Sequence, residues 1–130
     1  MTGTAPDLDA IEAMARGARD GLPSPFSGLA RDVRLAVLDW PNDAILDEMG
    51  IEDAYDLTGL YEGVPLTERS VEHPDPPSTI TLFRRPILDE WAARGDVMLE
   101  ALVAHVLVHE LAHHFGWSDD DIARIDRWWE

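Results

Sequence analysis

Residues 96–115 carry the longest helical pattern in this chain, and nearly every face of that helix is apolar. Val97, Met98, Leu99, Leu102, Val103, Val106, Leu107, Val108, Leu111 and Phe115 all fall within it. Each helical residue advances by about 100°, so these side chains cover most of the circumference. A helix apolar on all sides belongs in an interior, with the other elements packed around it. Gly116 supplies its stop. The same stretch carries His105, His109, Glu110, His113 and His114. Burying such groups unpartnered costs roughly 2–7 kcal/mol each. The expectation is therefore that His105, His109, Glu110 and His113 lie inside or beside the core, with a compensating partner. A metal ion is one such partner.

The spacing agrees with that partner. His109 and His113 fall about 40° apart, one turn above the other, so both imidazoles can reach one ion. Glu110 projects to the side, where it can hold a water without ligating. This is His-Glu-x-x-His, two ligands and a general base. The bland alternative is a helix whose histidines satisfy neighbouring backbone or carboxylates. The chain has no Cys, so any metal is held by His, Asp or Glu. A catalytic zinc site normally takes three protein ligands. Gly116 can reverse the chain, and Asp119 stands three residues later. Asp120 and Asp121 compete for that role. Asp119 also reads as an acid at the start of a last helix, which Ser118 and Asp121 can cap.

The rest of the chain supplies the wrapping. The pattern predicts a tail over residues 1–6 and one domain over 7–130. Within it come a helix over 7–20, a strand over 33–38 and a short helix over 43–49 closed by Gly50. A short strand over 57–61 leads into a turn at 62–65. A proline-rich extended loop at 73–77 precedes a strand over 78–84. Pro86 suits the first turn of a helix running to about Arg94. Helices and strands that do not strictly alternate point to an α+β fold. Trp91, Trp117, Trp128 and Trp129 are expected to close the core around the C-terminal helix.

Charge narrows the partners. The net charge is −16, from 26 acidic residues against 10 basic ones, all of them Arg. Such a surface repels phosphate backbones and anionic lipid heads, which disfavours nucleic-acid and membrane partners. Arg84 and Arg85 are expected to pair with nearby acids. The first residues lack a signal-peptide pattern, so the expected compartment is the cytoplasm.

Three segments carry a family resemblance: residues 59–66 (Gly-Leu-Tyr-Glu-Gly-Val-Pro-Leu), residues 80–86 (Ile-Thr-Leu-Phe-Arg-Arg-Pro), and His109 through Asp119. The chain resembles a bacterial family of minimal zincin-like zinc metallopeptidases, with the pattern His-Glu-x-x-His-x-x-Gly-x-x-Asp. The resemblance implies a small mixed sheet backed by helices, with the motif helix beside it. It implies Zn2+ held by His109, His113 and Asp119, with Glu110 as catalytic base. It implies hydrolysis of a peptide bond by a metal-activated water, with an extended peptide held on an edge strand; residues 78–84 are the expected strand. Tyr61, His105 and His114 are candidate oxyanion donors. Better-known metzincins have His where this chain has Asp119, and a later Met-turn that cannot be assigned here. Two other readings stand beside the peptidase: a metal-stabilised binding or regulatory module without peptidase activity, and a metal-free structural domain.

Overall fold

The computed structural model describes residues 5–24, 26–65 and 77–116. Helix α1 (Leu8–Asp20) opens the fold, capped by the Asp7 carboxylate, which accepts from the Ala10 amide at 2.8 Å. A short helix α2 (Phe26–Ala30) leads into strand β1 (Arg34–Leu38). Helix α3 (Asp43–Met49) is closed by Gly50, as the sequence indicates, and is capped by Asn42. A 3-10 turn (Ala54–Asp56) precedes strand β2 (Gly59–Glu62). Strand β3 (Thr79–Phe83) runs directly into helix α4 (Arg84–Arg94), and helix α5 (Leu99–Phe115) follows.

The three strands form one mixed sheet in the order β1-β3-β2. β1 runs parallel to β3, and β2 antiparallel to it. The segment expected to offer a free edge is therefore the central strand, hydrogen-bonded on both sides. Its composition explains this: Ile80, Thr81, Leu82 and Phe83 are all buried, as a strand covered on both faces requires.

Register decides which side chains reach the core. Leu35 and Ile80 are partners, as are Val37 and Leu82, Tyr61 and Ile80, and Gly59 and Leu82. Partners share a face, so Leu35, Val37, Ile80, Leu82 and Tyr61 point to one side. Helices α1 and α5 pack there side by side, α1 over β1 and α5 over β2 and β3. Ile11 and Ala15 from α1 meet Val103, Val106, Leu107 and Leu111 from α5 in a shared core.

Some details differ from expectation. α5 begins at Leu99, because residues 96–98 form the turn into it. There the Trp91 indole donates to the Val97 carbonyl at 2.9 Å, which ties α4 to that turn. α4 begins two residues before Pro86; a proline in the first turn lacks only an amide that no helical carbonyl would accept. The α2 helix and the 3-10 turn span 5 and 3 residues, too short to show a period in sequence. Pro6, expected in the tail, accepts from Arg84 Nε at 2.6 Å. Arg84 also pairs with Asp39 at 2.8 Å. Arg85 departs from the expected ion pairing: its guanidinium lies over the Trp40 ring, 5.7 Å from the centroid.

The proline-rich loop around His73, and Trp117, Asp119, Trp128, Trp129 and the last helix, fall outside the described residues. Among the described residues no helix is long and apolar enough to cross a membrane.

Leu107 is fully buried between the sheet and α1. Leu107→Ala should lower stability by about 2–5 kcal/mol, read as a reduced denaturant midpoint at unchanged slope.

Candidate metal centre

Helix α5 is less uniformly buried than its composition suggests. Three of its histidines fall on one stripe, because every fourth residue returns to within about 40° of the same direction. Ala101, His109 and His113 are exposed on that stripe, His105 is half-buried on it, and Glu110 is half-buried to one side. The expectation that the imidazoles of His109 and His113 are buried fails. The helix reaches the surface along this one line and packs everywhere else. The case for metal at these two residues thus rests on spacing and geometry, and not on a desolvation cost.

That geometry suits a shared ion. The ring centroids of His109 and His113 lie 5.7 Å apart, with the planes at 76°. At this separation both rings can present nitrogens about 2.0–2.1 Å from one ion. His105 lies one turn back, 6.4 Å from His109. No group of three metal-binding side chains occurs among the described residues. Asp119, the expected third ligand, falls outside them.

Glu110 occupies a distinct position, where α5 crosses β2. A Cβ on Gly59 would stand 2.9 Å from Val106 Cγ1 and 3.2 Å from Glu110 Cγ. Only a glycine lets the helix lie this close. The Tyr61 backbone amide faces the Glu110 carboxyl and lowers its proton affinity. The strand pattern explains why that amide is available. Phe83 N donates to the Thr58 carbonyl at 2.9 Å, which makes residues 58 and 83 a hydrogen-bonded pair. Antiparallel pairs alternate, so Leu60 and Glu62 bond into β3 while Gly59 and Tyr61 turn their backbone groups outward. The Glu110 side chain, packed against Gly59, lies beside the outer edge of β2, which pairs only with β3 among the described residues.

Burial raises the Glu110 carboxyl from its ordinary 4.5 to about 7, against the opposing effect of the Tyr61 amide. A carboxylate in that range can both take and return a proton near neutral pH. Beside it lies a cleft of about 180 Å³ lined by Thr58, Glu90, Arg94, His105, Val106, His109 and Glu110.

Two of the three oxyanion candidates point elsewhere. The Tyr61 hydroxyl lies 2.9 Å from His114 Nδ1 and 2.9 Å from Ser78 Oγ, and donates to the Val64 carbonyl at 3.3 Å as a further option. His114 is buried, at 2% exposure, which excludes the surface position its helical angle allows. His105 alone lines the cleft. Sequence reasoning missed Gly59 as a site residue, although a glycine inside a strand pattern signals close backbone approach.

Gly59→Ala should force the α5 contact apart, lowering stability by about 1–3 kcal/mol, as a shifted denaturation midpoint would record. A second expectation concerns pH. The folded value of Glu110 lies above the unfolded one, so its stability contribution is present in full below about pH 4.5 and is lost as pH rises through about 7. Allowing for partial exposure, metal-free protein should lose on the order of 2 kcal/mol through this group. Urea midpoints at about pH 5 and pH 8 should show a larger drop for the wild type than for Glu110→Gln.

The model of the zincin-like metallopeptidase family matches residues 30–129, which takes in β1 through α5 and the whole His-Glu-x-x-His segment. No curated protein matches the chain. A small mixed sheet, a motif helix laid along it and a family match over most of the length lead to one conclusion: the chain belongs to the zincin-like metallopeptidase family.

Proposed function

We propose that this protein is a zinc-dependent peptidase in which His109, His113 and Asp119 hold the ion and Glu110 is the general base. The observation that carries the reading is the place of Glu110. It lies between two imidazoles of one open stripe and the outer edge of a strand. The donor set fits zinc: two imidazoles on adjacent turns, with an acid three residues beyond a left-handed glycine, Gly116 at φ 73°. When bound, zinc supplies Lewis acidity, which acidifies a water and polarises a carbonyl.

The remaining steps belong to the chain. Gly59 turns its amide and carbonyl outward, and these can pair with the backbone of an extended peptide. That assigns peptide pairing to β2, in place of the central strand β3. Glu110 takes a proton from the attacking water and returns it to the leaving amine. The Tyr61 amide, which faces the carboxyl, favours its charged form while it does so. His105 is the oxyanion candidate in the cleft.

The small cleft favours one competing reading, a metal-stabilised binding module that does not hydrolyse peptides. The discriminating measurement is cleavage of an unstructured peptide mixture by zinc-loaded protein. We expect turnover that a chelator removes. Glu110→Gln should lower kcat by about 100-fold or more while zinc stoichiometry stays at the wild-type value. Asp119→Ala should lose zinc. Absence of cleavage by wild-type protein carrying stoichiometric zinc would favour the binding module.

A further inference from the structure

Tyr61 touches α5 twice. Its backbone amide faces the Glu110 carboxyl beside the Gly59 contact, where an added Cβ would stand 3.2 Å from Glu110 Cγ, and its hydroxyl meets His114 Nδ1 at 2.9 Å. Glu110 and His114 are four residues apart, so they share one face of the helix, separated by about 6 Å of rise. The two contacts lie on different parts of one residue. The first is at the open strand edge, and the second is in the interior, where His114 is 2% exposed. Ser78, also 2% exposed, stands 2.9 Å from the same hydroxyl and joins the start of β3 to the contact. A Cβ on Gly63 would stand 2.4 Å from Ser78 Oγ, so the chain after β2 closes tightly over this point. The tyrosine and histidine rings also pack, with centroids 5.6 Å apart.

A strand edge held against the helix only at the Gly59 contact can pivot. One held also through a hydroxyl bonded to a buried imidazole, a helical turn away, cannot pivot without breaking that hydrogen bond. We infer that Tyr61 and His114 are positioning residues. Their hydrogen bond fixes the edge of β2 against α5 and so fixes the Glu110 carboxylate where the reaction needs it. Neither touches the substrate. This rests on the reading of Glu110 as general base, and one arm of the test is independent of that reading.

Four variants separate positioning from bulk stability. Tyr61→Phe keeps the ring and deletes the hydroxyl. His114→Leu keeps an apolar volume and deletes the nitrogen. His114→Asn places a polar atom near the Nδ1 position, whereas His114→Gln places it near Nε2. The first arm measures amide hydrogen exchange at position 61 in zinc-loaded full-length protein. Tyr61→Phe, His114→Leu and His114→Gln should speed exchange there about tenfold or more, while the amides of Ile80 and Leu82 keep their protection. His114→Asn should restore wild-type exchange. Unchanged exchange at position 61 in Tyr61→Phe and His114→Leu overturns the inference, whether or not the protein cleaves peptides.

The second arm measures peptide cleavage well below the melting temperature. The three disrupting variants should lower kcat about 10- to 100-fold at a KM within about threefold of wild type and at full zinc content. His114→Asn should recover most of kcat. A faster-exchanging position 61 with unchanged kcat overturns the inference. So does a loss of kcat that follows zinc loss or global melting. A wild type that cleaves nothing removes the peptidase reading instead, and the exchange arm then decides the clamp alone.

Discussion

The site depends on how closely helix α5 lies along strand β2. Two residues of strand advance about 6.6–6.8 Å, and four residues of helix about 6 Å. That near-match lets Gly59 sit beneath Val106 and Glu110 while Tyr61 meets His114. The strand is only four residues long, so the mismatch does not accumulate. Because position 59 has no side chain, the helix can drop onto the strand, and the Glu110 carboxylate can reach the Tyr61 amide. Any side chain there would lift Glu110 away from the edge. Packing and chemistry are thus one constraint at this crossing.

Burial is distributed along α5 accordingly. The helix gives its apolar circumference to the sheet and α1, and keeps one narrow stripe for His105, His109 and His113, with Glu110 at its margin. The histidines suited to hold metal stay exposed, where neither a neutral nor a charged imidazole has to be desolvated. The carboxylate between them is half-buried, and its proton affinity rises for that reason. His114, one position from His113 but about 100° round the helix, faces the interior and serves the fold. Adjacent histidines therefore do different work, and helical angle separates them.

The sequence revealed some of these features and concealed others. Period and punctuation located α1, α3, α5 and the strands to within a few residues, because stops such as Gly50 and Gly116 act locally. The mixed α+β composition was legible too. Strand order was not, since β3 has the same Thr-, Ile- and Phe-rich texture an edge strand can have. Only its partners on both sides make it central. The all-round apolar count of α5 suggested buried ligands, because a count of apolar positions overlooks a stripe one residue wide. The Tyr61–His114 contact spans 53 residues of sequence, and nothing local in either segment announces it.

The small cleft has a consequence for recognition. About 180 Å³ beside Glu110 accommodates little more than one side chain, so pockets contribute little grip. What the edge of β2 offers instead is backbone pairing, which is indifferent to side-chain identity but demands an extended partner. On the peptidase reading, selectivity would then follow conformation more than sequence. A segment already unfolded can pair with Gly59, whereas a helix or a paired strand cannot. The net charge of −16 adds a long-range preference for basic segments that screens with salt. With so few contacts to orient the substrate, the geometry of the reacting groups has to be fixed by the protein itself. A carboxylate packed against Gly59, on a strand pinned by a tyrosine to a buried histidine, meets that requirement.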